Sequence, residues 1–127
     1  MSCTIGQLLL YLLLMNSKIR TIYFYKNYFT DFLNKQSGKV KDKILWTLKL
    51  IESQKFIPED YFRHLTNTDG LYEIRVKQGS NIYRIFCFFD KGSIIIVTSG
   101  FQKKTQKTPK TEIERALKIK AEYETEK

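Results

Sequence analysis

The chain of 127 residues is 43% hydrophobic, 14% aromatic and 28% charged. This length fits one compact domain with its own core, and the apolar content excludes a disordered or fibrous chain. Lysine and arginine outnumber aspartate and glutamate by 22 to 13, for a formal net charge of +9. Such an excess suits a polyanionic partner: nucleic acid, an anionic membrane surface or an acidic protein.

The first part of the chain, residues 1–17, differs in composition from the rest. Leu8–Met15 has the sequence LLLYLLLM, which is far shorter than the roughly 20 residues that span a bilayer. A secretory signal begins with basic residues, and Met1–Gln7 contains none. Two interpretations stay open: an extra helix that packs on the domain, or an upstream extension that is not part of the functional protein. The abrupt change at Met15 favours the extension, with one functional domain at 18–127.

The domain is predicted to begin with a strand and a helical hairpin. Residues 19–25, IRTIYFY, are β-branched and aromatic and favour a strand. Residues 27–36 and a longer segment after Ser37-Gly38 have apolar residues at helical spacing. These apolar positions are Phe29, Phe32, Leu33, Val40, Ile44, Leu48 and Ile51. The outer face of the second helix is expected to be basic and carries Lys39, Asp42, Lys43 and Lys49.

From Leu71 onwards the spacing of apolar residues changes from the helical period to a period of two. The segments LYEIRVK (71–77) and IYRIFCFF (82–89) are predicted strands, joined by the glycine-containing hairpin loop 78–81. A third strand, SIIIVTS (93–99), completes an antiparallel meander.

A basic loop, FQKKTQKTPK, and a final helix complete the chain. Two starts of this helix stay open. One places Thr108 at the cap and Pro109 at the first helical position. The other is a capping box of Thr111 with Glu114. The predicted fold class is therefore α+β: an N-terminal strand, a helical hairpin, a three-stranded antiparallel meander and a C-terminal helix.

The cysteines and the histidine limit the chemistry that is available. Cys3 and Cys87 form no CxxC pair, and Cys87 is predicted to be a small buried hydrophobe. A reduced, cytoplasmic setting follows as the default. His64 is the only histidine, so no set of imidazoles can bind zinc, and we expect it to be partly buried. We expect no metal and no cofactor.

Most of the positive charge lies in the sheet and in the loop that leaves it. Residues 72–110 contain eight bases and two acids, a net charge of +6, whereas four bases and five acids follow from Thr111 onwards. A lysine-rich loop alone is more often a solvated surface than a site. Here, antiparallel pairing places the end of the third strand near the start of the second. Lys103 and Lys104 are therefore expected near Arg84.

The hairpin register brings two arginines together. With a loop at 78–81, Arg75 lies directly opposite Arg84, on the same face as Glu73. Like charges in opposed positions destabilise a sheet unless an anion compensates them. Two interpretations stay open: one arginine pairs with Glu73 while the other is a surface residue, or the pair receives a phosphate, which planar guanidinium groups suit.

Three motifs in this order resemble the HigB-like branch of the RelE/ParE toxin superfamily. They are GLYEIRV at 70–76, YRIFCFF at 83–89 and SGFQKKTQKTP at 99–109, followed by EI and an alanine-containing helix. The resemblance covers about Lys18–Tyr123. It implies a RelE-like α+β fold and the toxin of a type II toxin–antitoxin system.

The resemblance also implies an activity. RelE- and HigB-like toxins cleave messenger RNA, commonly on the ribosome and without a metal, through attack of a 2′-hydroxyl on the adjacent phosphate. The chain is thus expected to be an endoribonuclease, an mRNA interferase. Two alternatives to this function stay open: the chain is a superfamily member that inhibits DNA gyrase, or it is a non-catalytic RNA-binding module. The Arg75/Arg84 pair favours the nuclease, because a gyrase inhibitor needs no phosphate-binding sheet face.

The resemblance assigns roles to the basic residues. Arg75 and Arg84 match the family's basic sheet positions and suit stabilisation of a phosphorane. Lys103 and Lys104 match its basic motif after the strand, where they add charge or protonate the leaving oxygen. The candidate base is Glu73 or a lysine with a lowered pKa. Additional RNA-binding candidates are Lys77, Lys107 and Lys110. Because replacement of Arg84 by alanine deletes no core side chain, it is expected to leave folding and antitoxin binding largely intact.

The partners implied are a cognate antitoxin of the helix-turn-helix type, messenger RNA and the ribosome, with no membrane. The antitoxin is expected to carry acidic residues that cover the basic sheet face or clamp the helical hairpin, because an uncovered basic face binds RNA non-specifically.

Overall fold

The computed structural model describes residues 5–7, 18–104 and 107–127. Five strands form one mixed sheet in the order β1-β5-β4-β3-β2 and, with the helices, confirm the predicted α+β class. The elements in chain order are β1 (Thr21–Phe24), α1 (Tyr28–Asn34), α2 (Gly38–Ser53), β2 (Phe62–His64), β3 (Tyr72–Gln78), β4 (Asn81–Asp90), β5 (Ile94–Lys103) and α3 (Lys110–Glu126). The predicted extension at residues 1–17 lies outside the described residues apart from residues 5–7, which are exposed.

The predicted meander and its register are confirmed. Strands β3, β4 and β5 pair antiparallel, and Arg75 lies opposite Arg84. The turn between β3 and β4 contains Gly79 at a φ of 62°, a left-handed conformation that glycine adopts without strain. Strand β1 pairs parallel with β5, with Thr21 opposite Ile94.

Three details differ from the sequence prediction. Strand β2 was not predicted, because three residues are too few to show a period of two. Strand β5 extends through Lys103, so the start of the expected basic loop belongs to the sheet. Helix α3 begins at Lys110, after Pro109, and no side chain caps it. The hydroxyl of Thr108 instead donates a hydrogen bond to Glu73.

The two faces of the sheet have separate cores, because successive residues of a strand point to opposite faces. Helices α1 and α2 cover the larger core, whose fully buried residues include Phe29, Ile44, Ile51, Ile74, Ile85, Cys87 and Ile95. Helix α3 packs on the other face against a smaller core of Leu71, Phe86 and Ala116. The predicted burial of Cys87 is confirmed, and this burial raises the pKa of its thiol.

The end of α3 is held by acid–base contacts to Lys26, which follows β1, and to the end of β4. Lys26 pairs with Glu122 and, at 3.0 Å, with Glu126. Tyr123 donates a hydrogen bond to Asp90. The hydrogen bond from Lys26 lowers the pKa of Glu122, and the one from Tyr123 lowers the pKa of Asp90.

These contacts predict a loss of stability in acid. A carboxyl whose pKa is lowered by folding stabilises the folded state above its unfolded pKa, and this contribution disappears as the pH falls through the folded pKa. We therefore expect the last turns of α3 to exchange amide hydrogens faster as the pH falls from about 5 to about 3, after correction for intrinsic exchange. The variant Glu122→Gln/Glu126→Gln should exchange faster already at neutral pH. Equal protection of these turns at both pH values in the parent protein contradicts the prediction.

Candidate functional site

The α3-facing side of the sheet carries the predicted site residues in three rows across the strands. The pairing places Arg75 and Arg84 in the middle row, with Glu73 in the row on one side and Lys103 in the row on the other. The rows are Glu73–Phe86–Ser99, Arg75–Arg84–Phe101 and Lys77–Ile82–Lys103. The sheet thus brings together four of the predicted catalytic residues.

A buried ion pair lies at the centre of this site. Arg84 is 6% exposed and Glu73 is 1% exposed. The Nη1 of Arg84 donates a hydrogen bond to Oε1 of Glu73. Glu73 therefore neutralises one of the two opposed arginines. An anion of the protein itself thus supplies part of the charge compensation that the opposed pair needs.

Two further donors contact the same carboxylate. Arg63, opposite Glu73 on the neighbouring strand β2, places its Nη2 3.2 Å from Oε1. The hydroxyl of Thr108 donates to Oε2 at 3.1 Å. Three donors from β2, β4 and the residues before α3 therefore hold Glu73.

The two opposed arginines have buried donors that no described residue accepts from. The Nε atoms of Arg75 and Arg84 are buried, and neither has a hydrogen-bond acceptor among the described residues. A cavity of about 70 Å³ lies beside them. Its lining residues are Glu59, Asp60, Arg63, Glu73, Arg75 and Arg84. Buried N–H donors are almost always satisfied in proteins, so these two are exceptions, and planar guanidinium groups of residues that line a cavity are suited to an oxyanion ligand.

Lys103 adds a base to the same sheet face. Burial of its amine and the neighbouring charge of Arg84 lower its pKa, and Arg75 contributes in the same direction. A lysine with a lowered pKa is neutral for a larger fraction of the time near neutral pH and can then accept a proton.

The other predicted basic residues lie around the site rather than in it. Lys77 and Lys104 are exposed, and Lys77 lines a second cavity of about 200 Å³ together with Asp60, Tyr61 and Arg75. Lys107 is exposed too, and Lys110 is exposed and lies 3.9 Å from Glu114. These positions suit contact with an extended polyanion.

Sequence reasoning missed four residues of the site. Arg63 was missed with strand β2, and Thr108 was interpreted as a helix cap. Glu59 and Asp60, in the turn before β2, line the cavity next to Arg75. These two carboxylates lie outside the sheet, so the alternation of residues along the strands does not indicate them. The expected partial burial of His64 is wrong, since this residue is exposed and its ring lies 5.1 Å from that of Tyr72.

The described residues contain neither a candidate membrane-spanning helix nor a candidate metal cluster. Within the ranges 5–7, 18–104 and 107–127, no helix is long and apolar enough to cross a membrane. In the same part of the chain, histidine, cysteine, aspartate and glutamate form no group of three or more that can hold a metal ion.

The fold and the site define a small α+β domain with two opposed arginines on one sheet face. Residues 31–121 match the family described as Phage derived protein Gp49-like (DUF891). Because this match covers most of the chain, the protein belongs to that family. The family is toxin-like and occurs in toxin–antitoxin systems, which implies an antitoxin as partner. No curated protein matches the chain.

Proposed function

We propose that this protein is a type II toxin of the HigB-like branch of the RelE/ParE superfamily and a metal-independent endoribonuclease that cleaves messenger RNA on the ribosome in the cytoplasm. The observation that carries the proposal is the pair of opposed arginines, Arg75 and Arg84. The buried Nε atom of each arginine has no acceptor among the described residues, and both residues line a cavity of about 70 Å³.

The proposed reaction needs stabilisation of negative charge. The 2′-hydroxyl oxygen of the substrate forms a bond to the adjacent phosphorus, and the bond from phosphorus to the 5′ oxygen breaks. The products are a 2′,3′-cyclic phosphate and a free 5′-hydroxyl. The phosphorane between them carries more negative charge than the diester, so donors fixed before the reaction stabilise it selectively. Arg75 and Arg84 are such donors.

Proton transfer is assigned to Lys103. The attacking 2′-hydroxyl loses a proton and the leaving 5′ oxygen gains one. Of the two candidates for the base, a lysine with lowered pKa has the stronger support. The pKa of Lys103 is lowered by burial and by Arg84, whereas three donors already occupy the carboxylate of Glu73.

Replacement of Lys103 by arginine separates charge from proton transfer. Arginine keeps the positive charge but does not lose its proton in proteins. We expect Lys103→Arg to reduce cleavage by about 100-fold, a typical contribution of general acid–base catalysis. The measurement is single-turnover cleavage of an oligoribonucleotide, with Lys39→Arg on the outer face of α2 as the matched control. Full activity of Lys103→Arg assigns to Lys103 a purely electrostatic role.

A single experiment tests the function itself. The toxin is induced in cells without its antitoxin, and new RNA ends with a 5′-hydroxyl are mapped across the transcriptome. We expect cuts in translated messages soon after induction. A DNA-damage response without new RNA ends supports gyrase inhibition instead. If the toxin binds RNA but produces no new ends, it is a non-catalytic RNA-binding module.

The antitoxin is proposed to be a helix-turn-helix protein with acidic residues at its contact surface. Two basic surfaces suit it: the sheet face around Arg75, and the outer face of α2, where Lys39 and Lys49 are exposed. Charge complementarity makes such a complex sensitive to ionic strength.

A further inference from the structure

We infer that Glu73 is a positioning residue for Arg84 and not the general base, and that Thr108 positions Glu73 in turn. This inference rests on the proposed endoribonuclease function. It assigns to Glu73 a role that differs from acid–base catalysis, and it assigns a role in the site to Thr108, a residue outside the sheet.

The surroundings of Glu73 leave little room for it to act as a base. Its side chain is 1% exposed, and its two oxygens accept hydrogen bonds from Arg84, Arg63 and Thr108. A carboxylate has about four lone-pair sites, so three are in use. A general base must lie within hydrogen-bond distance of the proton it removes. The 2′-hydroxyl of an RNA chain therefore has at most one lone-pair site left on a carboxylate that is only 1% exposed.

The same contacts fix the direction of the Arg84 guanidinium. This group is planar and rigid, so a hydrogen bond from Nη1 to Glu73 also restricts where Nε points. That Nε is buried and has no acceptor in the described part of the chain. Arg84 lines the cavity, and the orientation of its guanidinium is therefore set before a phosphate enters, which is the condition for strong electrostatic stabilisation.

Thr108 fixes the carboxylate itself. Its hydroxyl holds Oε2 at 3.1 Å, so rotation of the carboxylate plane away from Arg84 breaks this hydrogen bond. Thr108 lies just before α3, the helix that packs against Phe86 and Leu71 on this face of the sheet. The hydrogen bond therefore connects the site to the docked helix.

The first test compares the pH profiles of the parent and of Glu73→Gln with an oligoribonucleotide substrate. Glutamine keeps the size of the side chain and an acceptor oxygen but does not titrate. We expect kcat to fall by about 10- to 100-fold, as for a misplaced catalytic group, with KM little changed and the acidic limb of the profile retained. Disappearance of the acidic limb assigns the base to Glu73 and overturns the inference.

Thr108 variants keep the test decisive if Glu73→Gln does not fold. Thr108→Val removes the hydroxyl at nearly constant volume and is expected to lower kcat several-fold, whereas Thr108→Ser is expected to restore it. Thr111→Val, in the first turn of the same helix, is the matched control and should behave as the parent. Parent-like kcat in Thr108→Val overturns the role of Thr108.

A measurement without RNA separates this inference from the proposed function. The Nε–H resonance of Arg84, assigned by its loss in Arg84→Lys, is followed by NMR in the purified protein. We expect one sharp line in the parent and a broadened or shifted line in Thr108→Val. If the parent cleaves no RNA but shows this difference, the positioning holds and the proposed function fails. An unchanged line in Thr108→Val overturns the positioning.

Discussion

Arg84→Ala is expected to reduce RNA cleavage by about 100- to 1,000-fold, equivalent to about 2.7–4 kcal/mol of transition-state stabilisation, the range seen when one oxyanion donor is removed. Arg84 is in the central strand of the meander, opposite Arg75 and next to the row of Lys103. Its loss removes the buried Nε donor and also one of the positive charges that, together with the larger effect of burial, lower the pKa of Lys103. The effect is measured as the single-turnover rate at saturating enzyme.

Two further variants identify the origin of this loss. Arg84→Lys keeps a positive charge near Glu73 but lacks the planar set of donors, so we expect poor rescue. Lys39→Ala, on the outer face of α2, removes a positive charge far from the site in the fold and should leave cleavage intact. Parent-like cleavage by Arg84→Ala places the catalytic site elsewhere.

The structure changes one expectation about this variant. From the sequence, Arg84→Ala was expected to leave folding intact, but the side chain is 6% exposed and pairs with Glu73. Removal of one partner of a buried ion pair leaves the other charge uncompensated. Rates of Arg84→Ala must therefore be compared below its own melting temperature, with the folded fraction measured in the same sample.

The positions of Glu73, Arg75 and Arg84 were predictable from the sequence because all three belong to the β3–β4 hairpin. The spacing of apolar residues assigned 71–77 and 82–89 to strands, and the position of the loop set their register. A slip by one residue exchanges the two faces of a strand, so this register alone determines that Glu73, Arg75 and Arg84 share a face. The position of Lys103 near Arg84 was predicted in the same way, from the antiparallel pairing of β4 with β5.

The surroundings of the site were not predictable, because they depend on tertiary packing. Strand β2 has three residues and exposes Arg63 and His64, so no hydrophobic pattern identifies it. Thr108 precedes a helix, where a cap is the common local role, and only the docking of α3 on the sheet brings its hydroxyl to Glu73. The burial of the Arg84 side chain also depends on tertiary packing.

A second prediction concerns the contribution of the Glu73–Arg84 ion pair to the free energy of unfolding. Glu73→Leu and Arg84→Met are each expected to lower the free energy of unfolding by about 3–5 kcal/mol, because each leaves one buried charge without its partner. Urea unfolding of the single variants and of the double variant Glu73→Leu/Arg84→Met measures the coupling between the two positions.

The double variant is expected to be about as stable as the parent, or more stable, since apolar side chains of similar volume often replace a buried ion pair without loss of stability. It should nevertheless cleave no RNA, because the donor at position 84 is absent. Destabilisation of the double variant by the sum of the single effects contradicts this expectation and assigns the pair to the stability of the fold. A stable and inactive double variant shows instead that folding does not require the pair. Its place in the centre of the sheet is then explained by the need for a guanidinium held in a fixed direction beside a phosphate.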